Sequence, residues 1–178
     1  MFLGLMAQSG FGQVKIGFID LNRTFNEFSK TKQADAQLKD RADKFNAERK
    51  KMLEDYDALK EAIKTLREES QDEALSEDER KAKRDLAVDK LVELREFETK
   101  IRNFDAQRKK ELEEQSKRER KRIIDEINVV LKDYAQNQGF TAVFDASGES
   151  LNQVPLIIYY DEKLDITEDI LGIINAAE

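Results

Sequence analysis

The sequence has no cysteine, no histidine and no tryptophan, and only one proline and seven glycines among its 178 residues. Without cysteine there is no disulfide, thiol nucleophile or cysteinyl metal site. Without histidine the commonest general base is missing, which excludes hydrolytic triads in their usual form. The glycines stand near the termini and in turns, so no phosphate-binding glycine loop is present. We therefore predict that the protein is not an enzyme and uses no cofactor or metal ion.

Charged residues make up 39% of the chain, as much as the hydrophobic residues do, and the net charge is −7. A compact globule of this size does not carry so much charge, which favours long helices exposed to solvent. The stretches Lys30–Lys51 and Arg108–Arg122 each hold eight basic and four acidic residues. Because acidic residues are interleaved and aromatic residues are scarce there, the pattern favours a salt-bridged helical surface over nucleic-acid binding.

A heptad repeat dominates the middle of the chain, which is free of proline from Phe25 to Tyr134. Ser76 and Glu79 have the spacing of a capping box, so a second helix begins there and runs back along the first. Gln138 and Gly139 supply the stop at the end of this second helix. Pairing the helices about this turn places Phe45 opposite Phe104. The sequence therefore predicts an antiparallel helical hairpin of about 50 and about 60 residues, roughly 70 to 80 Å long. The heptad positions are Leu38, Phe45, Met52, Leu59 and Leu66, an apolar seam typical of coiled coils.

Short apolar runs flank the hairpin and predict three strands, at Val14–Leu21, Phe140–Ala146 and Val154–Tyr160. The sequence from Asp165 to Glu168 predicts a final helix start. Three strands are too few to form an independent sheet, so we expect an oligomer that shares a β-structured body. The predicted class is α+β, with a leader at 1–13, a body at 14–29 and 123–178, and a hairpin arm at 30–122 that turns near 75–77.

The apolar seam thins on both helices at one level of the hairpin. Arg49 occupies a seam position on the first helix, and only Ala106 and Leu112 are apolar between Asp105 and Arg122. Missing apolar contacts weaken local packing. We predict that the arm bends here, at a hinge formed by Arg49, Arg108 and Gln115.

The first thirteen residues are apolar, uncharged and too short to span a bilayer. They have the composition of the apolar and cleavage regions of a secretory signal whose basic start is missing. An unstructured leader without a targeting role is the alternative, and the sequence leaves both open.

The order and spacing of three segments resemble those of a known family. The segments are Lys15–Arg23, Phe140–Gly148 and Leu164–Leu171. With the charged hairpin between the first two, the chain resembles the Skp (OmpH-like) family of periplasmic chaperones. The resemblance implies a homotrimer in which helical arms surround a cavity. In that cavity the family holds unfolded outer-membrane proteins without ATP. The residues expected to form the trimer body are Ile16, Phe18, Ile19, Val143, Phe144, Leu156, Ile158 and Tyr160.

This chain departs from the family in its charge, because the best-known members are strongly basic and this chain is acidic. The positive surface of those members is associated with contact to lipopolysaccharide and anionic membranes. We therefore predict no lipopolysaccharide site in this chain and do not expect contact with an anionic membrane surface. A coiled-coil scaffold of the cell envelope, with no guest binding, would show the same heptads and is the competing hypothesis. Suppression of aggregation distinguishes the two, because a scaffold has no reason to hold an unfolded guest.

Overall fold

A computed structural model describes residues 14–176, so the predicted leader lies outside the described residues. The elements in chain order are β1 (Ile16–Ile19), α1 (Leu21–Glu27), α2 (Ser29–Glu69), α3 (Glu77–Asn137), β2 (Ala142–Asp145), a short 3-10 helix (Glu162–Leu164) and α4 (Thr167–Ala176). The described chain is mostly helical with one small sheet. It divides into two units: one takes residues 14–34 with residues 119–176, and the other is Asp35–Arg118.

The predicted capping box starts α3. The Ser76 backbone N–H donates to Glu79 Oε2 at 2.9 Å, and the Glu79 N–H donates to Ser76 Oγ at 3.3 Å. The same serine hydroxyl donates to Glu79 Oε2 at 2.7 Å, which lowers the pKa of that carboxyl. Two N–H groups that the helix leaves unpaired are thereby satisfied.

The antiparallel pairing within Asp35–Arg118 also agrees with the sequence. The rings of Phe45 and Phe104 meet edge to face, with centroids 6.5 Å apart and an interplanar angle of 81°. Nearer the turn, the buried side chains of Ile63, Ala87 and Ile101 lie between the helices. These contacts give the hairpin a narrow apolar seam, as the heptads predict.

The first helix is interrupted at Phe28, an interruption that the sequence did not predict. The Phe28 backbone is extended, with φ −66° and ψ 131°, and its side chain is only 1% exposed. After the break, the Ser29 N–H donates to Asn175 Oδ1 at 2.9 Å. Burial of the phenyl ring and this bond to α4 stabilise the interruption, although the sequence has no proline or glycine at this position. As a result α2 has 41 residues, fewer than the 50 expected.

Helix α3 has 61 residues and ends where predicted. Gly139 adopts φ +72°, and the Phe140 N–H donates to the carbonyl of Ala135 at 2.9 Å. A residue in this left-handed conformation ends a helix by redirecting the chain, and glycine adopts it without strain. The chain then enters β2, which pairs in parallel with β1 so that Phe18 lies opposite Phe144. The hairpin is the crossover connection that a parallel pair requires.

The third predicted strand, Val154–Tyr160, is wrong. The segment forms no strand, and its one ladder contact is an isolated bridge between Glu149 and Pro155. Instead, Asp165 lies beside Phe18 in an isolated parallel bridge, on the other side of β1 from β2. Apolar and β-branched residues favour a strand only where a neighbouring strand accepts their backbone bonds, and the described chain provides none here.

The core of the first unit is formed by β1, the ends of the long helices and α4. Ile127 and Ile170 are fully buried, and Ile19, Ile123 and Ile166 are at most 4% exposed. The predicted helix start at Asp165 is confirmed, because its Oδ1 accepts from the Thr167 N–H at 2.7 Å. This cap directs Ile170, Leu171 and Ile174 into the core.

Candidate functional site

A loop between β2 and the 3-10 helix, residues 146–160, carries the most exposed apolar side chains of the first unit; we call it the apolar loop. It begins with a turn in which Asp145 Oδ1 accepts from the Ser147 N–H at 2.9 Å. The Ser150 N–H then donates to the carbonyl of Val154 and the Leu156 N–H to that of Gly148, each at 2.8 Å. These bonds fold the loop back on itself.

The side chains of the apolar loop face solvent to an unusual degree. Ile158 is 90% exposed, Tyr159 is 85% exposed and Leu156 is 64% exposed. Single exposed apolar residues are common, but a group of large ones close together marks a contact surface. The apolar loop is therefore a candidate interaction surface.

An aromatic cluster joins the end of the apolar loop to the sheet. The Phe18 ring stacks on Tyr160 with centroids 4.5 Å apart, and it lies 5.9 Å from the ring of Phe144. The Tyr160 hydroxyl donates to Asp165 Oδ2 at 2.8 Å, and this bond raises the pKa of the tyrosine to about 12. Phe144 remains 46% exposed, so the cluster presents an aromatic face to solvent.

The predicted body residues lie in three different environments. Phe18, Phe144 and Tyr160 meet in the aromatic cluster, and Leu156 and Ile158 lie exposed on the apolar loop. Ile16 and Val143 are half-buried in the two strands, and Ile19 is 1% exposed in the chain's own core. Tyr159 follows Ile158 directly in the same apolar run but was not among the predicted body residues.

The edge of β2 is a second feature of this surface. In the described residues β1 has β2 on one side and the Asp165 bridge on the other, whereas β2 pairs only with β1. An unpaired strand edge offers backbone N–H and C=O groups to another strand. The open edge of β2 and the apolar loop belong to the same unit of the chain.

The predicted hinge residues make polar contacts within the hairpin. Arg49 Nε donates to Asp105 at 2.9 and 3.1 Å. Gln115 accepts a hydrogen bond from Arg41, which also lies 3.3 Å from a carboxylate oxygen of Glu111. Helix α3 continues without a break through this region. The bend itself stays a prediction.

Arg108 contacts two aromatic rings and a carboxylate, and the sequence did not predict these contacts. Its guanidinium carbon lies 4.5 Å from the ring centroid of Phe45 and 5.1 Å from that of Phe104. Its Nη1 donates to Glu111 at 2.9 Å. Cation–π contact lets an arginine occupy a seam between aromatic rings. Phe104 and Arg108 lie one helical turn apart, and this spacing in the sequence could have predicted the contact.

The part of the chain from 14 to 176 shows no group of histidine, cysteine or acidic residues arranged to hold a metal ion. None of the helices described there has the length and apolarity needed to cross a membrane.

Comparison with known proteins places this arrangement in a family. A solved structure of a candidate outer membrane chaperone (OmpH-like) from Caulobacter crescentus CB15 superimposes with a TM-score of 0.74. The two sequences are 16% identical, and the match covers 99% of this chain and 92% of that one, so the fold is shared. No match was found among curated proteins. The profile of the family described as outer membrane protein (OmpH-like) matches residues 15–174, and the chain belongs to this family.

Proposed function

We propose that the protein is an ATP-independent holdase chaperone that binds unfolded outer-membrane proteins in a cavity between helical arms and prevents their aggregation. The observation that carries the proposal is the family match over residues 15–174, which spans both long helices and both strands. The structural relative from Caulobacter crescentus, a candidate outer membrane chaperone, supports it. The activity is binding and needs no catalytic group or cofactor.

Exposed apolar residues on the hairpin support the proposal. An unfolded membrane β-barrel exposes alternating apolar side chains and unpaired backbone groups, which favour strand-to-strand aggregation. Three apolar residues of α3 stand exposed among charged residues: Leu86 is 47% exposed, Val88 is 58% exposed and Val92 is 50% exposed. Many weak contacts of this kind retain a chain by effective concentration, while each contact stays reversible.

The proposal includes a homotrimer whose subunits meet at the first unit of the chain. Two features support it: the open edge of β2 and the exposed apolar loop. A neighbouring subunit that covers both would pair the strand edge and remove Ile158 and Tyr159 from water. Ile19 is not available for this contact, because the chain's own core buries it.

The family assignment also supports a location in the cell envelope, and we propose the periplasm. The signal peptide that this location requires would involve residues 1–13 or a segment before them. Those residues lie outside the described part of the chain.

Shortening the hairpin tests the holding mechanism. Removal of Asp55–Glu68 from α2 and Asp85–Glu98 from α3 takes two heptads from each helix, so the seam register and the capping box are kept. The arm becomes about 21 Å shorter. We expect the shortened protein to stay trimeric but to suppress aggregation of an unfolded outer-membrane barrel less well. Equal suppression by both proteins would refute the cavity mechanism. No suppression by either would favour the alternative, a structural scaffold of the envelope.

A further inference from the structure

We propose that a groove near the turn of the hairpin binds guest segments in which apolar residues alternate with acidic ones. This inference rests on the proposed holdase function and names the chemistry of the segments retained at one place on the arm. The groove has a volume of about 370 Å³ and lies wholly within Asp35–Arg118. That volume is within the range of ligand-binding clefts.

The floor of the groove is apolar. Ile63 of α2 is 4% exposed, and the half-buried side chains of Leu91 and Leu94 of α3 line the groove beside it. Leu91 and Leu94, which the seam covers only in part, present carbon surface to the groove. Apolar side chains of a guest that settle on this floor leave water, which favours binding.

The side of the groove on α2 carries three cations, Lys60, Lys64 and Arg67. Lys64 forms an ion pair with Glu61 at 3.8 Å, whereas Lys60 and Arg67 take part in no ion pair within residues 14–176. Nearby Lys83, by contrast, is paired with a carboxylate on the other helix at 2.6 Å. Two of the three cations of the groove, Lys60 and Arg67, thus have no ion-pair partner in the described residues.

The two acidic residues of the lining leave the balance of charge positive. Glu61 and Glu68 stand against the three cations, a formal sum of +1. Guest carboxylates are therefore favoured over guest ammonium groups. A guest with only acidic residues would gain little from the apolar floor, and one with only apolar residues would leave the cations unused.

The spacing of the cations suits an extended chain. Along the helix axis Lys64 lies about 6 Å from Lys60, and Arg67 lies about 4.5 Å further. Side chains on one face of an extended segment recur every ~6.7 Å. Lysine and arginine side chains are long enough to absorb the difference. A segment lying along the groove can therefore rest its apolar face on the floor, while the long cationic side chains reach past its edge towards the carboxylates on the other face.

Fluorescence anisotropy with the full-length protein tests this proposal. The probes are labelled peptides of four Val-Glu repeats and of four Val-Lys repeats. The test variant carries Lys60→Gln, Lys64→Gln and Arg67→Gln, and the matched control carries Lys109→Gln, Lys110→Gln and Lys117→Gln, which are exposed cations elsewhere on α3. We expect the Val-Glu peptide to bind roughly fivefold or more weakly to the test variant. The control should bind it like the unaltered protein, and the Val-Lys peptide should bind weakly to all three.

Two results would overturn the proposal. One is equal affinity of the Val-Glu peptide for the test variant and the unaltered protein. The other is binding of phosphatidylglycerol vesicles that depends on the three cations while the peptide does not bind, which would assign the groove to a lipid surface. Aggregation assays on the same samples separate this question from the holdase function. If the unaltered protein suppresses aggregation, the holdase function stands whatever the groove binds.

Discussion

Replacement of Ile158 by aspartate is expected to dissociate the proposed trimer while each subunit stays folded. Ile158 is 90% exposed on the apolar loop, so the subunit's own core does not depend on its side chain. The same change at Ile19, which is 1% exposed, would unfold the subunit and would not test the interface.

The size of the effect follows from the burial that assembly would bring. Removing an isoleucine side chain from water contributes about 1.5–3 kcal/mol, and the introduced carboxylate adds a desolvation cost. A trimer contains the substitution three times, so assembly loses at least about 4.5 kcal/mol. At 1.4 kcal/mol per factor of ten, the association constant falls roughly a thousandfold or more.

Light scattering coupled to size exclusion at micromolar concentration measures the outcome, and far-ultraviolet circular dichroism reports whether the subunit is folded. The matched control is Val88→Asp, which places the same charge at an exposed apolar site of the hairpin. We expect the control to remain trimeric. A folded monomer of the unaltered protein, or an Ile158→Asp variant that remains a trimer, would refute the reasoning.

Three further predictions concern the helices and their caps. Ser76→Ala should lower the free energy of unfolding by about 1 kcal/mol in urea titrations, since the capping box is lost; an unchanged midpoint would contradict it. Leucine at Arg49, Arg108 and Gln115 should slow amide hydrogen exchange around these positions, whereas exchange already as slow as near the turn would rule out a hinge. Burial raises the pKa of Asp165, but its hydrogen bonds from Thr167 and Tyr160 outweigh this and lower it. The carboxylate therefore stabilises the fold above about pH 4, and that stabilisation is lost as the pH falls further. Asp165→Asn should flatten this acid dependence of the unfolding free energy, and an unaltered pH profile would contradict the assignment.

The elements that the sequence predicted correctly have local causes. The capping box at Ser76 needs two residues three positions apart, and the helix stop needs Gly139 in a conformation that other residues rarely adopt. Phe45 and Phe104 meet because the turn sets the register of the whole seam. The start of α4 follows from Asp165, which caps a run of apolar residues.

The features that the sequence analysis missed depend on contacts distant in the chain. The break at Phe28 is stabilised by the core and by Asn175, a residue from the opposite end of the sequence. The segment Val154–Tyr160 has the composition of a strand but lacks a partner within the described chain. Arg108 appeared as a gap in the seam, because heptad analysis treats arginine as a polar residue and not as a partner for aromatic rings.

Aggregation of a guest tests most directly whether this chain holds unfolded outer-membrane proteins without ATP, as we propose. A barrel protein unfolded in urea can be diluted into buffer that contains the full-length protein and no nucleotide, and its aggregation followed by light scattering. We expect scattering to disappear near one proposed trimer per guest and the guest to elute with the protein in a soluble complex. Undiminished scattering at a severalfold excess of the folded protein would contradict it.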